Sequence, residues 1–206
     1  MNADSANDMR DVNDTNNTNN TNIVNNTSDA HQNTGLIHIY CGDGKGKTTT
    51  GMGLCARAAG YGLRVLIYQF MKDNSTSERK VLALSENITL VDGLPQEKFS
   101  FQMTAAEKAE RKAYYENQLR AVTRIAQEEG YDVLFLDEVI YTIRAGLLEE
   151  SLLLDFLREK PARLEVILTG QEPGRELLEM ADYVSEIRKV RHPFDRGIRA
   201  RGGIES

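Results

Sequence analysis

The chain has 206 residues, enough for one α/β domain with a sizeable core. Its net charge of -6 is concentrated at the start: residues 1–34 hold five acids and one base, whereas the remainder carries 24 basic and 26 acidic residues. That near balance argues against a surface built to coat nucleic acid, and no apolar run approaches the roughly 18–20 residues needed to span a bilayer. The two cysteines, Cys41 and Cys55, form no disulfide framework and suit a reducing cytosol. The polar N-terminus lacks the apolar segment of a secretory signal. The expectation is a cytoplasmic protein with no nucleic-acid or membrane partner.

Residues 1–34 are almost all Asn, Thr, Asp and Ser. Such a stretch cannot bury enough apolar area to offset chain entropy, which predicts a disordered Asn/Thr-rich tail and a single domain over 35–206. Leu36–Tyr40 is short and apolar, as a buried parallel strand is. It leads into Cys41-Gly42-Asp43-Gly44-Lys45-Gly46-Lys47-Thr48-Thr49, and a helical pattern over 48–60 follows. Strand, glycine-rich turn, Gly-Lys-Thr and helix make a phosphate-binding loop. Glycines let successive N–H groups converge on one concavity, and the new helix adds its positive end. Gly42, Asp43, Gly44, Lys45, Gly46, Lys47, Thr48 and Thr49 are the candidate nucleotide ligands. Lys47 would reach the outer phosphates and the Thr48 hydroxyl would ligate Mg²⁺. In the G-x-x-x-x-G-K-[ST] pattern the first glycine would stand at 41; here Cys41 stands there and glycine comes one residue later.

Arg64–Phe70 reads as a second buried strand, so the Gln69-Phe70-Met71-Lys72 end should face the same crevice as the loop. A short helix is expected over 74–84 and a strand over 88–91, then a loop with Phe99 and Phe101. Thr104-Ala105-Ala106-Glu107 is a capping box opening a long helix to about Glu129, with Tyr115, Leu119, Val122 and Ala126 as its apolar stripe. Val133-Leu134-Phe135-Leu136-Asp137-Glu138 is a buried strand ending in two acids. Beside a phosphate loop, Asp137 is the expected metal-holding carboxylate. Glu138 is either a second metal ligand or the base of an ATPase. Helices over 139–145, 147–160 and 173–180 and strands over 164–169 and 183–187 complete the pattern. They predict an α/β, P-loop NTPase-like (RecA-like) fold, a mainly parallel β-sheet flanked by helices on both faces. The segment 188–201 carries six basic residues and one acid, either a solvated face or a contact for phosphates or carboxylates.

Several stretches then occur in a familiar order: Gly-Asp-Gly-Lys-Gly-Lys-Thr-Thr, Gln69-Phe70-x-Lys72, Leu136-Asp137-Glu138, Glu165-Val166-Ile167-Leu168-Thr169-Gly170 and Ala181-Asp182-x-Val184-Ser185-Glu186. His192-x-Phe194-Asp195-x-Gly197-Ile198-x-Ala200 and Gly203-Ile204-Glu205 follow. Over about 36–205 the chain resembles the P-loop type of ATP:corrinoid adenosyltransferase, which acts on cobalamin or cob(I)yrinic acid a,c-diamide. The resemblance implies transfer of the 5′-deoxyadenosyl group of ATP to Co(I), with triphosphate as leaving group, in adenosylcobalamin biosynthesis or salvage. It also implies Mg²⁺ (with Mn²⁺ as an alternative), a homodimer, a flavodoxin-like electron donor, and ATP gripped in a reversed sense. Phe99 and Phe101 fall where the family has a Phe-Thr-Trp triplet that helps strip the lower ligand from cobalt; as sequence alone they could equally anchor a loop. Arg57, on the phosphate-loop helix, would contact nucleotide by the same resemblance or form a surface ion pair. Gln171 stands where the family has Arg. The rival readings are a P-loop ATPase or nucleotide switch with Glu138 polarising water, and a binding module without turnover.

Overall fold

The structure, a computed structural model, describes residues 34–96 and 100–205, the side chain of Phe101 excepted. Among these, six strands form one sheet: β1 (Ile37–Cys41), β2 (Val65–Gln69), β3 (Ile88–Val91), β4 (Val133–Asp137), β5 (Glu165–Thr169) and β6 (Tyr183–Glu186). Their order is β3-β2-β4-β5-β1-β6 and every pairing is parallel. The carboxyl ends of all six therefore lie along one edge, where open α/β sheets bind ligands.

Helices α1 (Lys47–Tyr61), α2 (Ser77–Leu82), α3 (Ala105–Glu128), α4 (Val139–Arg144), α5 (Glu150–Glu159) and α6 (Arg175–Met180) cover the sheet. Strand alternation divides the core into two. On one face Leu66, Tyr68, Leu134, Leu136, Val166 and Leu168 pack with Tyr115, Leu119, Val139, Leu153 and Leu177 of α3 to α6. On the other, Val65, Ile67, Val133, Phe135 and Ile167 pack with Met52, Cys55, Ala58 and Leu82 of α1 and α2. Burying a side chain such as Leu134 or Phe135 stabilises the fold by roughly 1.5–3 kcal/mol.

Strands expected over 36–40 and 64–70 fall one residue from their observed bounds, and β3 coincides with its expected span. The capping box of α3 forms as read: Thr104 Oγ1 accepts from Glu107 N at 3.3 Å, and Glu107 Oε2 accepts from Thr104 N at 2.7 Å. Two helices start three residues later than their patterns, and α6 starts at Arg175, two residues later than expected. Before α2, Asn74 Oδ1 accepts from Gly93 N at 2.8 Å and Asp73 Oδ1 accepts from Ser75 N at 3.1 Å, so residues 73–76 are spent on side-chain-to-backbone bonds rather than helix. Before α5, Leu147 and Leu148 are buried in a turn after Gly146 (φ 71°), and the helix starts only at Glu150.

β1 and β2 are not neighbours. β4 and β5 lie between them, so α1 must run across the sheet closely. A Cβ at Gly51 would lie 2.3 Å from Phe135 Cζ, which is fully buried. Glycine here lets the phosphate-loop helix sit directly on β4. The chain closes with the turn 201–205, in which Arg201 Nη2 donates to Glu205 Oε1 at 2.8 Å and Arg201 Nε donates to Glu205 Oε2 at 3.1 Å.

Gly51→Ala should lower the unfolding free energy by about 1–3 kcal/mol through overpacking, against the roughly 1 kcal/mol that alanine ordinarily adds to a helix. Urea denaturation measures this, and adding Phe135→Leu should recover part of the loss. The Arg201 guanidinium holds the Glu205 carboxyl down at about 2. A folded value below the unfolded one contributes stability above the ordinary glutamate range near 4.3, and that contribution fades as pH falls towards the folded value. Near pH 4, carboxyl ¹³C shifts should report Glu205 ionised, whereas Arg201→Gln, which loses the guanidinium but keeps the backbone N–H bond to Glu205, should show a larger protonated fraction.

Candidate functional site

The phosphate loop is shaped by its neighbour β6. Cys41 pairs with Glu186 as the last residue of β1, so the turn can begin only at residue 42. Gly42 takes φ 106°, and a Cβ there would meet Ile187 O at 2.4 Å. This explains why glycine stands at 42 and a small buried cysteine at 41. Gly44 N donates to Ile187 O at 2.8 Å, and Asp43 Oδ1 accepts from Lys189 N at 2.8 Å, which holds the Asp43 carboxyl below its usual range. Lys47 Nζ donates to Gly44 O at 3.0 Å. Gly46 precedes α1 and has no side chain to cap it, leaving the first-turn N–H groups to a ligand.

Asp137 is the hub on which the site is built. It ends β4, is fully buried, and stands in register with Gln69 at the end of β2. Its Oδ1 accepts from Thr169 Oγ1 at 2.6 Å and Thr48 Oγ1 at 3.0 Å; its Oδ2 accepts from Lys72 Nζ at 2.6 Å and Gln69 Nε2 at 3.0 Å. Gln69 is oriented in turn by Thr76 Oγ1, which donates to its Oε1 at 3.0 Å. Thr48 Oγ1 also accepts from Lys72 Nζ at 2.9 Å. Glu138 follows in the left-handed region at φ 59°, and its N donates to Thr169 Oγ1 at 2.8 Å. Burial pushes the Glu138 carboxyl up, and the Asp137 charge adds to this, with Lys72 and Lys47 opposing. Burial likewise raises the Cys41 thiol and pushes the Cys55 thiol up to about 12, so neither is a reactive thiolate at neutral pH.

These groups open on a cavity of about 690 Å³, a size typical of small-molecule sites. Residues 44–49 line it together with 71–73, 75–78, Glu138 and 203–205. Of the residues expected from sequence, Gly44, Lys45, Gly46, Lys47, Thr48, Thr49 and Glu138 are therefore together, with Asp137 beneath Thr48. Gly42 and Asp43 line an adjoining cleft with Gln171, Arg188 and Lys189. Gln171 Oε1 there accepts from Arg144 Nη1 at 3.1 Å. Arg57 is exposed on α1, its charge acting on Tyr40, and it does not line the cavity. Phe99 and the side chain of Phe101 lie outside the described residues.

Three parts of the cavity wall were not assigned from sequence. Lys72 was legible only as facing the crevice. Residues 75–78 were expected only as part of the helix over 74–84, and 203–205 stood out only within the C-terminal resemblance. Among the described residues no three His, Cys, Asp or Glu side chains gather into a metal cage. A magnesium-type site needs none, because one or two carboxylates complete their shell with waters and substrate phosphates. The oxygen donors of Thr48, Asp137 and Glu138 fit such an ion, and the Lys72 ammonium between Thr48 and Asp137 marks the spot as one that holds positive charge.

The comparisons with known proteins agree with this geometry. A KaiC-like protein from Pyrococcus horikoshii OT3 superposes with a TM-score of 0.50 at 19% identity, covering 74% of this chain and 71% of that one, a likeness of fold alone. The corrinoid adenosyltransferase of Escherichia coli K12 is 30% identical over 178 residues, covering 86% of this chain and 89% of that protein. The corrinoid adenosyltransferase CobA of Salmonella typhimurium LT2 is also 30% identical, with the same coverage of each chain. That of a Sinorhizobium species is 30% identical over 83% of this chain and 80% of the relative. Residues 33–206 match the family model described as ATP:corrinoid adenosyltransferase BtuR/CobO/CobP. The chain belongs to that family.

Proposed function

We propose that the protein transfers the 5′-deoxyadenosyl group of ATP to the Co(I) of a corrinoid and releases triphosphate, in cobalamin biosynthesis. The observation that carries this reading is the phosphate loop, with Thr48 set directly against the buried Asp137 and Lys47 beside it in the loop, at a nucleotide-sized cavity in a chain of this family. The electron pair of Co(I) forms the new bond to C5′ as the C5′–O bond breaks and that oxygen leaves with the triphosphate. Co(I) is already a strong nucleophile, so no protein base is required. The chain's task is to hold C5′ in line and to receive the charge that grows on the leaving group. Gly44, Lys45, Gly46 and Thr49 supply loop and helix-end donors, and Lys47 supplies positive charge. A Mg²⁺ or Mn²⁺ ion held by Thr48, Asp137 and Glu138 would neutralise further charge on the triphosphate oxygens.

The finer points of the reading rest on the same resemblance. By the resemblance, Phe99 and Phe101 would help remove the lower ligand of the corrinoid cobalt, which would make Co(II) easier to reduce. A nucleotide contact by Arg57 rests on the resemblance alone, since Arg57 does not line the cavity, and Gly42 and Asp43 shape the loop from behind. The corrinoid is cobalamin or cob(I)yrinic acid a,c-diamide, the electron donor is flavodoxin-like, and the working form is a cytoplasmic homodimer. Among the described residues no helix is long and apolar enough to cross a membrane. Residues 1–34 act as a dispensable tail, in keeping with a family match that begins at residue 33.

With MgATP and chemically reduced cobalamin, loss of cob(I)alamin absorbance should accompany release of triphosphate. Orthophosphate without a cobalt–carbon bond would instead mean an ATPase. Lys47→Ala should lower the rate by about 100-fold or more with an unchanged circular dichroism spectrum, and full retained activity would refute the role given to the loop. Removing residues 1–34 should leave the rate within about twofold, as for a stretch whose composition is almost all Asn, Thr, Asp and Ser.

A further inference from the structure

Among the described residues that donate to the Asp137 carboxylate, only Lys72 carries a charge. Its ammonium lies 2.6 Å from Asp137 Oδ2 and 2.9 Å from Thr48 Oγ1. It therefore stands between the two oxygen donors that a divalent cation would use. The Thr48 hydroxyl, which donates to Asp137, turns its lone pair to Lys72. A metal ion approaching that oxygen meets a positive charge already in place.

The root of Lys72 is fixed and its tip is not. Phe70 N donates to Asp137 O at 2.9 Å, and Met71 N donates to Tyr115 Oη at 3.1 Å from a backbone at φ 52°. The strand end is thus tied to β4 and to α3. The side chain, 23% exposed, lines the same cavity as residues 44–49. A four-carbon stem carrying a compact ammonium can exchange one anionic partner for another without backbone movement. The fully buried Asp137 carboxylate needs a compensating cation at all times, because an unpaired buried charge is strongly destabilising.

We propose that Lys72 is a resident counter-cation that yields its place only when the metal arrives together with triphosphate. Its ammonium then moves from Thr48 and Asp137 to the phosphate oxygens and adds positive charge to the leaving group. Metal alone offers Lys72 no new anion, so it is kept out. Metal with triphosphate supplies both a replacement cation for Asp137 and a new partner for the lysine. Lys72 thereby couples the two binding events. This inference rests on the reading of Thr48 and Asp137 as metal donors.

Mn²⁺ binding to the full-length protein, followed by electron paramagnetic resonance, tests it without any turnover. Wild type should bind Mn²⁺ weakly alone and tightly with ATP. Lys72→Met should bind Mn²⁺ without nucleotide roughly tenfold tighter or more, since a like charge a few ångströms away is removed. The same variant should bind inorganic triphosphate with Mn²⁺ about tenfold more weakly, having lost a charge-assisted bond. Mn²⁺ should also raise the melting temperature of Lys72→Met more than that of wild type. Lys72→Gln, which keeps a polar donor at Asp137, serves if the methionine variant does not fold. Equal nucleotide-free Mn²⁺ affinity in wild type and variants, while ATP still brings Mn²⁺ to the wild-type site, overturns the role of Lys72 alone. Failure of wild type to bind Mn²⁺ even with ATP, or binding that Thr48→Val leaves unchanged, overturns the metal reading and this inference with it.

Discussion

A carboxylate with no exposure to water is the constraint from which the rest of this site follows. Asp137 sits at the carboxyl end of the central strand β4, where a bare negative charge would be strongly destabilising. Four donors among the described residues come from four separate parts of the chain: the start of α1, the end of β2, the turn beyond β2, and the end of β5. Satisfying one side chain therefore fixes the mutual positions of the phosphate loop, the crevice wall and the strand ends. The hydroxyl of Thr169 extends the same network, since it donates to Asp137 and accepts from the backbone N–H that directs Glu138 into the cavity. The chemical site is the visible end of a buried polar network, whose members specify one another.

The parallel sheet makes this convergence possible. With six parallel strands, the Gln69, Asp137 and Thr169 ends fall at one level, two of them in direct register. The crossover from β1 to β2 spans two intervening strands, and Gly51 lets α1 lie low enough on Phe135 to carry Thr48 to Asp137. Packing of α1 on β4 thus sets a hydroxyl–carboxylate distance beneath the cavity wall.

Much of this was legible in the sequence because it is written in short-range patterns. The run from Cys41 to Thr49, the apolar stripe of α3 and the Asp-Glu strand end each depend on neighbours a few residues apart, and each formed close to its reading, with β4 ending at Asp137 and Glu138 just beyond it. Elements whose limits depend on distant partners were less legible. Asn74 is drawn off the expected helix by Gly93, nineteen residues later. Lys72 could be aimed at the crevice, but its pairing with Asp137 spans sixty-five residues, and no local pattern encodes that. Gly203, Ile204 and Glu205 reach the cavity from the far end of the chain, so their contribution to its wall could only emerge from the folded molecule. The displaced first glycine of the loop has the same origin: it answers to the carbonyl of Ile187.

That last dependence has a thermodynamic consequence. The back of the phosphate loop is bonded to Ile187 and Lys189, which continue β6, an edge strand with every residue exposed. Edge elements with little buried surface open locally at a free energy well below that of global unfolding. The rigidity of the loop is therefore borrowed from the most easily frayed strand of the sheet, while the Asp137 network beneath it draws on the core. Fraying of β6 would therefore loosen the back of the phosphate loop before it disturbed the carboxylate cluster beneath, so the two halves of one binding site answer to different parts of the sheet.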